Sequence, residues 1–206
     1  MKTLILDLDD TIFRTKSMDP NVFAPFFTHL KNSLRNNFDA GTITTIEQDL
    51  WSMTWDKVMH KHSVPADIML PSIKLFDNLT GLSISTYPDY HKIKELPYKK
   101  FLVTSSVENL QRHKIRALGI ENDFEKIVII DPFQTENNKK TEFEILVNHY
   151  GLIPEKTYVI GDNAESEIKA GNELGMVTIQ VLIEGNKKGE ARFHVSSLAE
   201  IPGLIG

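Results

Sequence analysis

From Lys99 onward the chain alternates short apolar runs with helical stretches, and three of those helices stop at a glycine. Residues 101–103 read as a strand, 108–118 as a helix stopped at Gly119, and 127–130 as a strand. Residues 140–150 read as a helix stopped at Gly151 and 158–160 as a strand. Residues 166–174 read as a helix stopped at Gly175, and 177–181 as a strand. A glycine just past a helix takes positive φ readily and lets the last carbonyls find partners. Such alternation predicts an α/β fold: a Rossmann-like, doubly wound parallel sheet with helices on both faces.

The chain opens on another apolar run, residues 3–8, rich in Leu and Ile, which reads as a buried strand. It ends in Asp7, Asp9 and Asp10. Carboxylates packed this closely at one sheet edge are costly unless a cation neutralises them. A hard divalent cation fits, with one carboxylate left to act as a nucleophile. A helix cap or a turn is the plainer alternative.

Between this strand and Lys99 the spacing is helical. Val22, Phe23, Phe26, Phe27 and Leu30 recur at three- and four-residue steps, as do Leu50, Trp51, Met53, Trp55, Val58 and Met59. Thr44 or Thr45 is expected to cap the second helix, and Pro65 to open a third. The division expected is a core of residues 1–14 and 83–206 with a helical insertion over 15–82. Residues 184–190, with two glycines and two lysines, read as a loop.

In an open parallel sheet, ligands bind beyond the carboxyl ends of the strands. The polar residues there are Asp7 and Asp9, then Thr104, Ser105 and Ser106, then Gly161, Asp162 and Asn163. Taken singly, each set reads as a turn; together they mark one edge. Lys139 and Lys140 precede a helix, where a lysine can reach a phosphate and offset the carboxylates. Glu165 and Glu167 open the next helix, whose first turn favours acids in any case.

Composition removes several classes. The 206 residues include no cysteine, which excludes disulfides, thiolate metal sites and cysteine nucleophiles. The net charge of −5 argues against a nucleic-acid binder but not against a phosphorylated small molecule bound beside a metal. No apolar run approaches the roughly 20 residues of a membrane span. No basic-then-apolar leader opens the chain, so a cytoplasmic location is expected by elimination.

With these motifs in order, the chain resembles the haloacid dehalogenase superfamily of hydrolases. The family's Asp-x-Asp-x-Thr is matched by Asp7, Asp9 and Thr11, and its strand-ending Ser or Thr by Thr104. Its lysine is matched best by Lys140, from the run Lys140-Thr-Glu-Phe-Glu-Ile-Leu, although Lys139 stands beside it. Its Gly-Asp with a second acid is matched by Gly161, Asp162 and Glu167, with Glu165 as a competitor. Two departures stand out: Asp10 where the family often has Gly, and Glu167 where Asp is usual. The resemblance makes the 15–82 insertion a cap that closes over the site and reads the leaving group. Arg14, at the edge of the core, and Lys16, His29, His60 and His62 of the insertion are the polar candidates for reading substrate.

The resemblance implies a Mg²⁺-dependent phosphomonoester hydrolase acting on a small phosphorylated metabolite, a nucleotide or a sugar phosphate. The opening run Asp-Leu-Asp-Asp-Thr-Ile-Phe13 is similar to that of some nucleotidases. Asp7 is then the nucleophile and forms an aspartyl-phosphate. Asp9 is the acid and base and gives its carbonyl to the metal, and Thr104 and Lys140 hold phosphoryl oxygens. Thr11, Ser105 and Ser106 contact substrate, assisted by backbone donors near Leu8 and Ser105. Asp7, Asp9 and Asp162 would bind Mg²⁺, with Glu167 acting through a bound water. Asp at position 9 separates phosphate ester hydrolysis from dehalogenation. A sugar-phosphate mutase uses the same core, and a non-catalytic, receiver-like phosphate-binding module is the alternative from another class.

Overall fold

The computed structural model describes residues 2–182 and 186–206. Among the described residues, six parallel strands form one sheet: β1 (Thr3–Leu6), β2 (Lys99–Ser105), β3 (Lys126–Ile130), β4 (Thr157–Gly161), β5 (Val177–Val181) and β6 (Phe193–Val195). Their spatial order is β3-β2-β1-β4-β5-β6. This is the order of a doubly wound sheet, and its direction of winding reverses between β1 and β4. Register puts Leu6 of β1 beside Leu102 of β2 and Ile160 of β4. The Asp7 amide continues the pairing to the Ile160 carbonyl at 3.0 Å.

Both faces of β1 are buried, which is why its sequence is a continuous apolar run. Leu4 and Leu6 join one hydrophobic cluster, and Ile5 joins another with Phe101, Val103, Phe143 and Val159.

Between β1 and β2 lie four longer helices: α1 (Ala24–Leu34), α2 (Ala40–Asp49), α3 (Trp55–His62) and α4 (Ala66–Ile73). A one-turn helix, α5 (His91–Lys94), leads into β2. The insertion has its own aromatic centre: Phe26 stacks on Phe76 at 5.0 Å, with Trp55 edge-on to Phe76 at 5.2 Å. The sheet helices are α6 (Glu108–Leu118), α7 (Lys139–Tyr150) and α8 (Lys169–Glu173), and α9 (Ile201–Ile205) ends the chain. Gly119, Gly151 and Gly175 all take positive φ, between 61° and 70°. Among the described residues no helix is long and apolar enough to cross a membrane.

Three local expectations are corrected. Neither Thr44 nor Thr45 caps α2; Asp39 does, accepting from the Thr42 amide at 3.0 Å. The two threonine hydroxyls instead donate back to the Ala40 and Gly41 carbonyls inside the helix. The apolar pattern over 50–59 is not one helix, because α2 ends at Asp49 and α3 starts at Trp55. Asp49 accepts from Lys61 and His62 of α3, which folds α3 back on α2. The helix expected over 166–174 begins as a π-type turn (Ala164–Ile168) that runs into α8. β6 has only three residues, too short for a periodic signal. Of the loop expected over 184–190, residues 184 and 185 lie outside the described residues.

Candidate active site

The carboxyl ends of β1 and β4 meet where the winding reverses, and there the acidic residues converge. Asp7, Asp162 and Glu167 each offer a carboxylate oxygen within 4.8 Å of the other two. Asp7 follows β1 directly, and Asp162 follows Gly161, the last residue of β4. Glu167 is brought in by the π-type turn, and such turns recur at functional sites. Its Oε1 accepts from the Asn163 amide at 2.7 Å, and the residue is 2% exposed. Gly161 makes room for it, since a Cβ there would collide with the Glu167 carboxylate. Glu165 instead stays at the helix start, where its amide donates to Asn163 Oδ1.

Lys139 answers these charges. Its Nζ lies 2.5 Å from Asp7 Oδ1 and 3.7 Å from Glu167 Oε2, and donates to the Val103 carbonyl at 2.6 Å. Asn138 caps α7 through the Thr141 amide and turns Lys139 inward on the first turn. Lys140, the residue expected here, is the correction: its Nζ lies 3.0 Å from Glu173 at the surface, and that pairing raises its pKa. The distinguishing signal was helical phase. Phe143 and Leu146 stand four and seven residues after Lys139, so Lys139 shares the buried stripe of α7.

One lysine does not balance three carboxylates. Burial raises the Asp7 pKa to about 7, with Glu167 and Asp9 adding to the rise and Lys139 opposing it. Burial also raises Asp162, to about 8, reinforced by Asp7 and Glu167. For Lys139 burial acts downward, but the Asp7 and Glu167 charges outweigh it and leave the pKa raised. A largely buried all-oxygen cluster in which Asp7 and Asp162 resist ionisation fits a hard divalent cation, which supplies the missing positive charge.

Asp9 sits outside that cluster, on the cleft wall. Its carboxylate accepts from Lys114 Nζ at 2.7 Å and Gln111 Nε2 at 2.6 Å. Gln111 Nε2 also donates to Thr104 Oγ1 at 2.7 Å, tying the ends of β1 and β2 together. Lys114 and Gln111 were missed from sequence. Both lie on the buried stripe of α6 with Leu110 and Ile115, and two polar residues on an apolar stripe were the available signal.

Ser105 and Ser106 line the same cleft as Asp7, Asp9, Thr104 and Asp162. Thr11 does not. It is fully buried, its amide donates to the Leu8 carbonyl, and its hydroxyl has no partner among the described residues, so the expected substrate contact is corrected. Asp10 takes φ 51°, the left-handed region that a glycine adopts without cost, and donation from the Thr15 amide to its Oδ1 at 2.8 Å holds it there.

The polar candidates for reading substrate are corrected too. None of Arg14, Lys16, His29, His60 and His62 lines the cleft. His29 bonds Ser72 at 2.9 Å, and His62 bonds Asp49 at 2.6 Å. Lys57 is the insertion's cationic residue on the wall; Trp51, Phe27 and Met53 form much of the remainder.

Comparison with known proteins identifies the family and the fold. The family model described as haloacid dehalogenase-like hydrolase matches residues 4–181. A relative from Methanopyrus kandleri named glyceraldehyde 3-phosphate phosphatase is 24% identical over 202 residues, covering 88% of this chain and 84% of its own length. Among solved structures, a HAD phosphatase from Thermococcus onnurineus superposes with a TM-score of 0.69 at 16% identity, over 100% of this chain and 98% of that one. The HAD-hydrolase YfnB from Bacillus subtilis, bound to magnesium, gives 0.68 at 19% identity with the same coverage of both chains.

Proposed function

The chain belongs to the haloacid dehalogenase-like hydrolases, and on that premise we propose that it is a Mg²⁺-dependent phosphatase of small phosphorylated metabolites. The observation that carries this reading is the pairing of two different carboxylates on one strand end. Asp7 is buried against Lys139, and Asp9 is held separately by Lys114 and Gln111. A nucleophile and a proton carrier need separate positions, one at the proposed cation cluster and one on the cleft wall where the leaving group departs. The name of the Methanopyrus kandleri relative points to the same chemistry.

Asp7, Asp162 and Glu167 would hold the Mg²⁺, which supplies the positive charge that offsets repulsion between a carboxylate and a phosphate dianion. A carboxylate oxygen of Asp7 attacks phosphorus, and the bond from phosphorus to the ester oxygen breaks. Asp9 gives the departing alkoxide its proton. The ionised Asp9 then takes a proton from water as the water oxygen attacks the aspartyl-phosphate. The bond from phosphorus to Asp7 breaks, and inorganic phosphate leaves. Lys139 orients Asp7, and Thr104, Ser105 and Ser106 donate to phosphoryl oxygens. Lys114 and Gln111 position Asp9 through the contacts described above. The helical insertion, residues 15–82, acts as a lid that excludes water and meets the leaving group.

The test is phosphate release from acetyl phosphate with Mg²⁺ present and after its removal by chelation. Turnover that needs the cation and disappears in Asp7→Asn supports the reading. Turnover that survives both changes overturns it.

A further inference from the structure

The wall opposite the phosphate end of the cleft is aromatic, whereas the leaving group of a triose phosphate carries hydroxyl and carbonyl groups that need hydrogen-bond partners. The cleft holds about 390 Å³, within the range that takes drug-sized ligands and ample for more than three carbons and a phosphate. Trp51 lies on this wall and is 40% exposed, although a residue so large and apolar normally buries itself. Phe27 stacks on it at 5.6 Å and 25°, and Phe23 meets it edge-on at 5.3 Å and 88°. Its ring is thus oriented by two neighbours while a large part of it stays open. Met53, half-buried on the same wall, adds a polarisable contact suited to ring edges.

We infer that the cleft selects phosphomonoesters whose leaving group carries a planar aromatic ring, of about nucleoside size, with that ring stacked on Trp51. The inference deepens the phosphatase reading and rests on it for the placement of the phosphate at Asp7. A flat, rigid ring takes up the exposed Trp51 surface with little loss of conformational freedom. A small polyol would leave that aromatic surface wet. Ser52, Thr54 and Lys57 remain beside it to meet a hydroxyl or carbonyl on the ring system.

Both tryptophans of the chain, Trp51 and Trp55, line the cleft, so intrinsic fluorescence reports on occupancy directly. Asp7→Asn protein with Mg²⁺ is titrated with uridine 5′-monophosphate and with glyceraldehyde 3-phosphate. The nucleotide is expected to quench the emission and bind about tenfold more tightly or better, the scale of one good aromatic contact. Adding Trp51→Ala should erase most of that gap, with Trp55 still reporting, and Trp51→Phe should restore most of it. Equal or tighter binding of the triose phosphate overturns the inference, as does a gap that Trp51→Ala leaves intact. Acetyl phosphate hydrolysis by the unmodified protein is measured alongside. Its absence sinks the phosphatase reading, while the binding titration decides ring recognition independently.

Discussion

Lys139 Nζ lies 2.5 Å from Asp7 Oδ1, although the two residues are 132 positions apart in the chain, and the neighbouring Lys140 points to solvent beside Glu173. One step along α7 separates a buried cation that orients the proposed nucleophile from a surface ion pair. Lys139→Met should lower kcat on acetyl phosphate by about a hundredfold or more, the scale of losing one preorganised charged donor. Lys140→Met should stay within about twofold, because an exposed pair of this kind contributes little. Steady-state kinetics of the two variants decide between them, and a larger loss in Lys140→Met would return the role to that residue.

Asp7→Asn keeps the side-chain volume and removes the nucleophile. Turnover should fall more than about a thousandfold while the circular dichroism spectrum stays unchanged. Near-normal turnover would rule out the covalent route.

Asp9→Asn should slow turnover by about a hundred- to ten-thousandfold, the usual worth of a general acid and base. Its Mg²⁺ affinity should barely change, because the Asp9 carboxylate stands apart from the Asp7, Asp162 and Glu167 cluster. Calorimetric titration with Mg²⁺ checks this. A large loss of affinity would make the Asp9 side chain a ligand.

Lys114→Met removes the buried partner of Asp9 but leaves Gln111 in place. Its kcat should drop by about tenfold or more, with a small change in KM for acetyl phosphate, since the loss falls on proton transfer and not on phosphate binding. A change confined to KM would remove Lys114 from the positioning of Asp9.

The Asp7 and Asp162 pKa values of about 7 and about 8 both exceed the ordinary 3.8. Between those limits the folded, metal-free protein holds more protons than the unfolded chain, so stability falls as pH rises. The contribution of these two groups is fully present below about pH 4 and is lost as pH passes through 7 to 8. A divalent cation competes with the same protons, so it binds more tightly as they leave. The rise in Tm on adding Mg²⁺ should therefore be larger at pH 8 than at pH 6. Equal increments would separate the cation from this carboxylate cluster.

The local pattern of the chain determined its class of fold. Alternating apolar strands and helices, with glycines at 119, 151 and 175 released into positive φ, admit a parallel doubly wound sheet and little else. The ends of β1, β2 and β4 also carried Asp7, Asp9, Thr104 and Asp162 to one edge, because a parallel sheet aligns its carboxyl ends. Facing decided the rest. Lys139 or Lys140, Glu165 or Glu167, and the engagement of Asp9 by Lys114 and Gln111 all depend on which way a side chain turns from a helix. That direction follows from the phase of the helix against the sheet and from a π-type turn that periodicity does not announce. The insertion shows the same division. Its spacing announced helices, but only their packing turned Trp51, Phe27 and Met53 toward Asp7 and left Lys16 and His60 off the cleft wall, since burial of the aromatic centre dictates which face is left for the cleft.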